Sequence, residues 1–470
     1  MINLRKIVYH LDNATFKNVE DNLIRNKADN FLYLLKSFKN EVAEKDIAKN
    51  LKLSSNSYSV LKSRLYDKIQ EHLTSDIAVS RHELINNLEN IKKMAYTQIK
   101  ELNVAFLLKL ERDLLRYDMH HELIFVYSAL KKVHIYSEKY YYFSQLYNKQ
   151  VAYNLSIEKC EELLSNFNRI FAEYHFSRES GSLDAMLFIQ KEISDHLTLN
   201  PSRRIEAIKN IINLHLGLFC NPNLVKNGNT ESLLHLTREL ILEMPESTGY
   251  QHWLPALDFL FFEFYYRNNR AEQANEYYNK IMSTLPNLLL FTNICSTSLF
   301  LMTRITFLSG ENRIQEIIES KLPLMNSDED DKHTQVMIGM HEAMISFYSG
   351  LYKDACVKLN ELLNENSFKH YFHIAAEIKL TLALIYIYQR DYKMASTIII
   401  NLARKIRVEK LKNYYHVLNL IKLFEGEIKK KSGTNRLRQE DYFTLFSVKN
   451  VNEHKILQHL DSELKRKFTE

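Results

Sequence analysis

The pattern of apolar and polar positions along the chain is that of a helical protein. From about residue 80 onward, apolar residues recur at intervals of three and four, which is the spacing of one face of an α-helix. Short polar breaks rich in Ser, Gly, Asn and Asp separate these segments, as at 267–269, 309–310, 349–350 and 390–391. Such breaks end one helix and begin the next. The pattern therefore predicts antiparallel helix pairs joined by short turns.

Several of these pairs are similar to one another in sequence. The shared positions are Tyr265, Ala274, Tyr278 and Pro286 in one pair, Ala355 and Leu359 in another, and Ala383, Tyr386, Tyr392, Ala395 and Ile399 in a third. These residues resemble the consensus of tetratricopeptide repeats, in which small residues and tyrosines recur along two helices and proline closes the unit. The resemblance covers residues 251–405, and weaker pairs fill the rest of 79–470.

The spacing of the repeats predicts how they stack. Ala274, Gln315, Ala355 and Ala395 occupy the same place in four units, about 40 residues apart, whereas a tetratricopeptide unit has about 34 residues. Each pair leaves an apolar face that the next pair covers. We therefore expect an all-α protein: a right-handed α-solenoid of stacked antiparallel helix pairs over 79–470, preceded by a small helical region over 1–78.

Composition excludes most alternatives to this architecture. The 470 residues include 9 Gly and 6 Pro, where average usage would give roughly 33 and 24. Sheets with many tight turns need glycines for positive φ, and phosphate-binding loops need them for close backbone approach. Both are therefore disfavoured.

The resemblance to tetratricopeptide repeats also suggests a binding surface. In that family the first helix of each pair lines the concave wall of the solenoid. The residues that this places in the groove are Glu263, Tyr266, Arg267, Leu384, Ile387 and Tyr388. Tyrosine and arginine are common at binding hot spots. The same aromatic run, 259–266, is also apolar enough to be core, and the sequence leaves both interpretations open.

The N-terminal region contains a second pattern. Ala48, Leu51, Leu53, Ser54 and Leu61 resemble a helix-turn-helix, with Lys52 where that family has glycine. The resemblance would direct a set of polar residues toward DNA: Ser55, Asn56, Ser57, Lys62 and Arg64. The alternative is that Ser54 caps a helix packed on the first helix pair of the solenoid, with Lys62 and Arg64 in solvent.

No catalytic or metal-binding constellation emerges from the remaining residues. The net charge is +5, and the four cysteines are far apart without a CxxC pair. His370 and His373 are three residues apart and could bind a metal ion from one side, but no carboxylate or thiol has the spacing needed to complete the site. We therefore expect no catalytic residue, no cofactor and no metal.

These observations predict a non-enzymatic scaffold that binds a peptide or helical protein partner in the groove of the solenoid. The alternative is a transcriptional or signalling regulator that binds DNA through its N-terminal segment. No run of about 18 apolar residues predicts a membrane span. We expect a cytoplasmic protein with reduced thiols, for which a homodimer remains open.

Overall fold

The chain is helical and folds as two compact units. The computed structural model describes residues 13–25, 28–40, 42–51, 53–75, 100–220, 230–244, 249–290, 296–319, 332–365, 370–411 and 414–431, with positions 4, 8, 11, 85, 86, 88, 89, 91 and 368. No strand occurs among these residues, which confirms the predicted all-α class. Unit 1 is Met1–Asn154 with Pro245–Gly249, and unit 2 is Leu155–Met244 with Tyr250–Glu470. The boundary predicted near residue 78 lies outside the described residues.

Unit 1 begins with four helices around their own core. The helices are α1 (Asn13–Arg25), α2 (Asp29–Lys39), α3 (Glu44–Asn50) and α4 (Ser55–Ser75), followed by α5 (Lys100–Arg116), α6 (His120–Val133) and the start of α7 (Lys139–Ser177). Phe38, Ile47 and Leu65, from α2, α3 and α4, are fully buried in one apolar cluster. The side chain of Ser54 accepts the amide N–H of Ser57 at 3.2 Å, so it caps α4 as the sequence predicts.

Unit 2 contains the remainder of α7 and twelve further described helices. These are α8 (Ser180–Leu199), α9 (Arg203–His215), α10 (Thr230–Leu242), α11 (Leu254–Arg267), α12 (Ala271–Leu290), α13 (Ser296–Gly310), α14 (Ile314–Glu319), α15 (Lys332–Tyr348), α16 (Tyr352–Glu365), α17 (Phe372–Tyr388), α18 (Tyr392–Val408) and α19 (Tyr415–Lys431). A π-helical turn, Leu216–Cys220, extends α9, and a 3-10 turn, Tyr250–Trp253, precedes α11. Most of these helices pack on their neighbours in sequence.

Four consecutive hairpins in unit 2 share one connector. Each connector has three residues (268–270, 311–313, 349–351 and 389–391), and its middle residue has a left-handed backbone. The middle residues are Asn269 (φ 54°), Asn312 (φ 57°), Gly350 (φ 75°) and Arg390 (φ 63°). In each of the four hairpins, the third residue donates its N–H to the carbonyl five positions earlier, at 2.8–3.0 Å. This hydrogen bond satisfies a carbonyl at the helix end that would otherwise lack a partner. The polar breaks are therefore the same structural turn repeated.

The connector defines equivalent residues in the four hairpins and corrects the sequence alignment. Ala274, Ala355 and Ala395 lie five positions after the left-handed residue and are fully buried, so the two helices can approach closely. In the remaining hairpin this position is Ile317, which is also fully buried. Gln315, which was expected there, is exposed. Spacing between side chains varies with loop length, whereas the left-handed residue fixes the register of each hairpin.

A second expectation about the repeats also changes. Pro286 was expected to close its unit, but α12 continues through it to Leu290. The fixed φ of proline is compatible with a helix, so one proline removes a hydrogen bond without necessarily ending the helix. The end of this unit therefore lies beyond the residue that the repeat consensus suggested.

Candidate partner-binding site

The six groove residues predicted from the sequence fall into three pairs of equivalent positions. Counted back from the left-handed residues Asn269 and Arg390, these pairs are Glu263 with Leu384, Tyr266 with Ile387, and Arg267 with Tyr388. Glu263, Leu384 and Ile387 are 1%, 2% and 1% exposed. Tyr266 and Tyr388 are half-buried, and Arg267 reaches solvent. A buried side chain cannot contact a partner without rearrangement, so Tyr266, Arg267 and Tyr388 are the members available for binding.

Glu263 is buried together with its counter-charge. Its carboxylate accepts Arg267 Nε at 2.8 Å, one turn along α11, and also accepts the hydroxyl of Thr303. The guanidinium of Arg267 additionally donates to the carbonyl of Leu218 at 2.5 Å and lies 4.8 Å from the ring centroid of Phe219. Arg267 is therefore held in a fixed orientation by the π-helical turn and by its own helix.

Residues two positions before the left-handed residue form a row, here called the connector row. It contains Arg267, Tyr348 and Tyr388, with Gly310 at the equivalent place in the second hairpin. Tyr348 donates its hydroxyl to Ser309 Oγ at 3.0 Å, and the Tyr388 ring meets Phe347 edge-on at 5.0 Å. These contacts orient the tyrosines while part of each side chain remains in solvent.

An aromatic cluster supports the first hairpins beneath this row. Phe262 is fully buried, and its ring centroid lies 5.3–6.2 Å from those of Tyr266, Tyr278, Phe300 and Phe307. Such ring pairs add to the stability that burial alone provides. The run 259–266 is therefore mainly core, and Tyr266 is the member that lies at its edge.

Sequence reasoning missed a second group of residues, at the end of α7. The ring of Phe176 lies 4.4 Å from that of His333 and 5.8 Å from that of Tyr371. Tyr414 donates its hydroxyl to the carbonyl of Ser177 at 3.2 Å. These contacts join segments up to 237 residues apart. The end of α7 thus lies against the beginnings of α15 and α17 and the residue before α19.

The sequence did contain one signal for this group. His333 and His373 each lie seventeen positions before a left-handed residue, Gly350 and Arg390 respectively, so they occupy the same repeat position. His373 is 2% exposed, and its ring lies 6.0 Å from that of Tyr414. A histidine repeated at one position of successive units could have marked the surface that meets α7.

Burial and nearby basic side chains both affect His175 in this group. Loss of solvation lowers the pKa of His175 well below its ordinary value, and the charges of Arg178, His333, His373 and Arg267 lower it further. The neutral imidazole is therefore favoured at physiological pH. Arg178 and Arg267 also act on Cys220, where burial nevertheless dominates and raises the thiol pKa to about 12.

No group of three or more His, Cys, Asp or Glu side chains within the described ranges could hold a metal ion. Burial raises the pKa of Cys160 to about 12 and that of Cys356 to about 11, so both thiols stay protonated near neutral pH.

The predicted DNA-contacting residues lie on α4 and differ in exposure. Asn56, Ser57 and Arg64 are exposed, and the side chain of Ser55 lies outside the described set, as does Lys52 in the preceding turn. Lys62 is half-buried, 2.9 Å from the carboxylate of Glu44 on α3. Arg64 is therefore the more accessible of the two cations.

Comparison of the chain with protein-family models, with curated proteins and with solved structures finds no match. Among the helices that the structure describes, none is both long and apolar enough to cross a membrane.

Proposed function

We propose that unit 2 is a non-enzymatic interaction scaffold: a tetratricopeptide-like, right-handed solenoid that holds a peptide or helical segment of a protein partner in its concave groove. The observation that carries this proposal is the connector row. Arg267, Tyr348 and Tyr388 occupy one position in three of the four hairpins, with Gly310 in the second, and they are partly exposed and held by specific contacts.

Physical arguments favour binding over a purely structural role for this row. Tyrosine and arginine bury large contact areas on binding, and tyrosine does so with few rotatable bonds. Because the side chains are already oriented by Glu263, Ser309 and Phe347, little conformational entropy remains to be lost when a partner binds. An elongated partner that lies across successive hairpins would meet each member of the row in turn.

The test begins with the full chain as bait in an extract of the cells that produce it, followed by binding measurements with the purified partner. Tyr348→Ala with Tyr388→Ala should weaken binding by at least about 30-fold, since each hot-spot residue contributes more than about 1 kcal/mol. Circular dichroism should report unchanged helicity. Tyr136→Ala is the matched control, because Tyr136 lies in unit 1 and is 99% exposed. Equal binding by the double variant and the control would reject the groove proposal.

A second candidate function is DNA binding by unit 1, and the geometry of α3 and α4 favours it specifically. The two helices are joined by a short connector, and Asn56 and Arg64 lie on the exposed surface of α4. The first helical turns of a recognition helix contact base edges and phosphates in the helix-turn-helix family. Under this proposal the chain is a regulator whose repeat array binds a protein or peptide.

Retention of mixed-sequence duplex DNA by the full chain tests this second function. Binding should weaken steeply with added salt, because each phosphate contact releases counterions. Arg64→Ala should reduce the slope of log K against log salt by about one. Arg116→Ala, which removes an exposed arginine from α5, should leave the slope unchanged. No salt-dependent retention, or the same slope in both variants, would exclude DNA binding through α4.

A further inference from the structure

Arg178 occupies an unusual position at the end of the 39-residue helix α7. Its backbone is left-handed, with φ 58°, and its N–H donates to the carbonyl of Tyr174 at 2.8 Å. A side chain other than glycine or asparagine is uncommon at this helix-end position, because a Cβ atom there costs about 1 kcal/mol. The chain therefore retains an arginine where its backbone would favour glycine.

The guanidinium of Arg178 is incompletely paired. Its centre lies 5.2 Å from the ring centroid of Tyr174, and Nη2 lies 3.4 Å from Nδ1 of His175. Nε is buried and has no hydrogen-bond partner. None of the ion pairs within the described ranges joins Arg178 to a carboxylate. Arg178 also forms a side-chain hydrogen bond with Tyr174. An arginine has five N–H donors, so part of its donor capacity, including the buried Nε, is unused by these contacts.

Other basic residues surround His175, the residue that contacts Arg178. The ring of His175 lies 5.9 Å from that of His333, and the charges of Arg178, His373 and Arg267 also act on it. These five residues are here called the basic cluster. The carboxylate of Glu263 is already paired with Arg267 at 2.8 Å. Glu179, the next residue along the chain, is exposed, and its charge acts on Tyr414. The charge of Arg178 is therefore not balanced locally by a contacting acid.

A partly desolvated arginine without a counter-charge is unfavourable, and an anion placed on its unused donors removes that penalty through charge-assisted hydrogen bonds. We propose that the basic cluster at the end of α7 binds an oxyanion, a carboxylate or a phosphate carried by a ligand. Arg178 is the principal donor and the imidazole of His175 is a second one. The ring of Tyr174 lies against the guanidinium of Arg178 and helps to hold it in place. This site goes beyond the partner-binding groove, and either can exist without the other.

Thermal unfolding of the full chain tests the site with inorganic phosphate and with acetate as probes, at constant ionic strength. At ten times its dissociation constant, a bound probe should raise the Tm of unit 2 by about 2 °C. Arg178→Gln should abolish the rise, because the amide cannot replace the charged donors. The Gln variant keeps the same backbone cost at φ 58°, since glutamine also has a Cβ atom. Without probe it should unfold no earlier than the wild type.

The matched control is Arg169→Gln, which removes an arginine from the same helix. Arg169 is exposed and paired with Glu173 at 2.7 Å, so this variant should keep the full response to the probe. A response to phosphate alone would assign the site to phosphate groups, and a response to acetate would assign it to carboxylates. No response of the wild type to either probe, or the same response in both variants, would overturn the proposal.

A spectroscopic measurement covers the case in which the Arg178 variant fails to fold. In wild-type protein labelled with ¹⁵N-histidine, addition of phosphate or acetate should shift the imidazole signals of His175, because its Nε2–H would donate to the bound anion while Nδ1 still faces Arg178. His175→Gln assigns these signals. Unchanged His175 signals at saturating probe would contradict the proposed site. Partner capture through the connector row does not depend on this outcome, so failure of the two proposals can be distinguished.

Discussion

Replacing Phe262 with alanine should destabilise unit 2 by about 3–5 kcal/mol, the cost of a large cavity in a packed core. The Phe262 side chain is fully buried and lies among four other aromatic rings on α11, α12 and α13. Its removal leaves partners on three helices without contacts. Phe262→Leu keeps most of the volume and should cost less than about 1.5 kcal/mol.

The single tryptophan of the chain provides the measurement. Trp253 is 4% exposed and belongs to unit 2, so its fluorescence during urea unfolding reports that unit. Phe125→Ala is the control, because Phe125 lies in unit 1 and is 58% exposed. If Phe262→Ala shifted the tryptophan transition no more than Phe125→Ala does, the aromatic cluster would not be the core of these hairpins.

Replacing Arg267 with alanine should destabilise unit 2 by about 2–3 kcal/mol, because it leaves a buried carboxylate without its counter-charge. Glu263 is 1% exposed and would retain only the hydroxyl of Thr303 as a side-chain partner among its contacts described above. The expected cost is at the lower end for such pairs because the Arg267 side chain is 34% exposed.

A second substitution separates charge from packing in this pair. Glu263→Gln combined with Arg267→Ala should restore most of the lost stability, because a neutral amide needs no counter-charge. Arg270→Ala is the matched control: it breaks an exposed pair with Glu231 and should cost less than about 1 kcal/mol. The tryptophan transition measures all three variants. Equal losses for Arg267→Ala and Arg270→Ala, or a double variant without recovery, would contradict this account. Arg267→Ala alone is for the same reason a poor test of partner binding.

The sequence was sufficient to predict the helices and the turns of the repeat region. A helix pair with a short polar break is a local pattern, and local hydrogen bonding determines where it turns. Gln315 shows where side-chain spacing alone fails. The spacing between side chains varies with loop length, whereas the left-handed residue of a connector fixes the register. Ile317 became recognisable only from the backbone.

The exposure of the groove residues could not be predicted in the same way. Helical periodicity shows that a face is covered, but it does not show what covers it. Glu263 is buried because Arg267 and Thr303 satisfy its carboxylate, and Thr303 belongs to a different hairpin. The contacts of Phe176 and Tyr414 with distant helices are likewise invisible to a pattern read along the chain.

The shared three-residue connector makes each hairpin an interchangeable module. A block of chain that runs from one left-handed residue to the next, such as Gly350 to Arg390, begins and ends with the same backbone geometry. Gain or loss of such a block in evolution would join compatible ends and leave the neighbouring helices in register. The array can therefore change in length by whole modules without redesign of the turns.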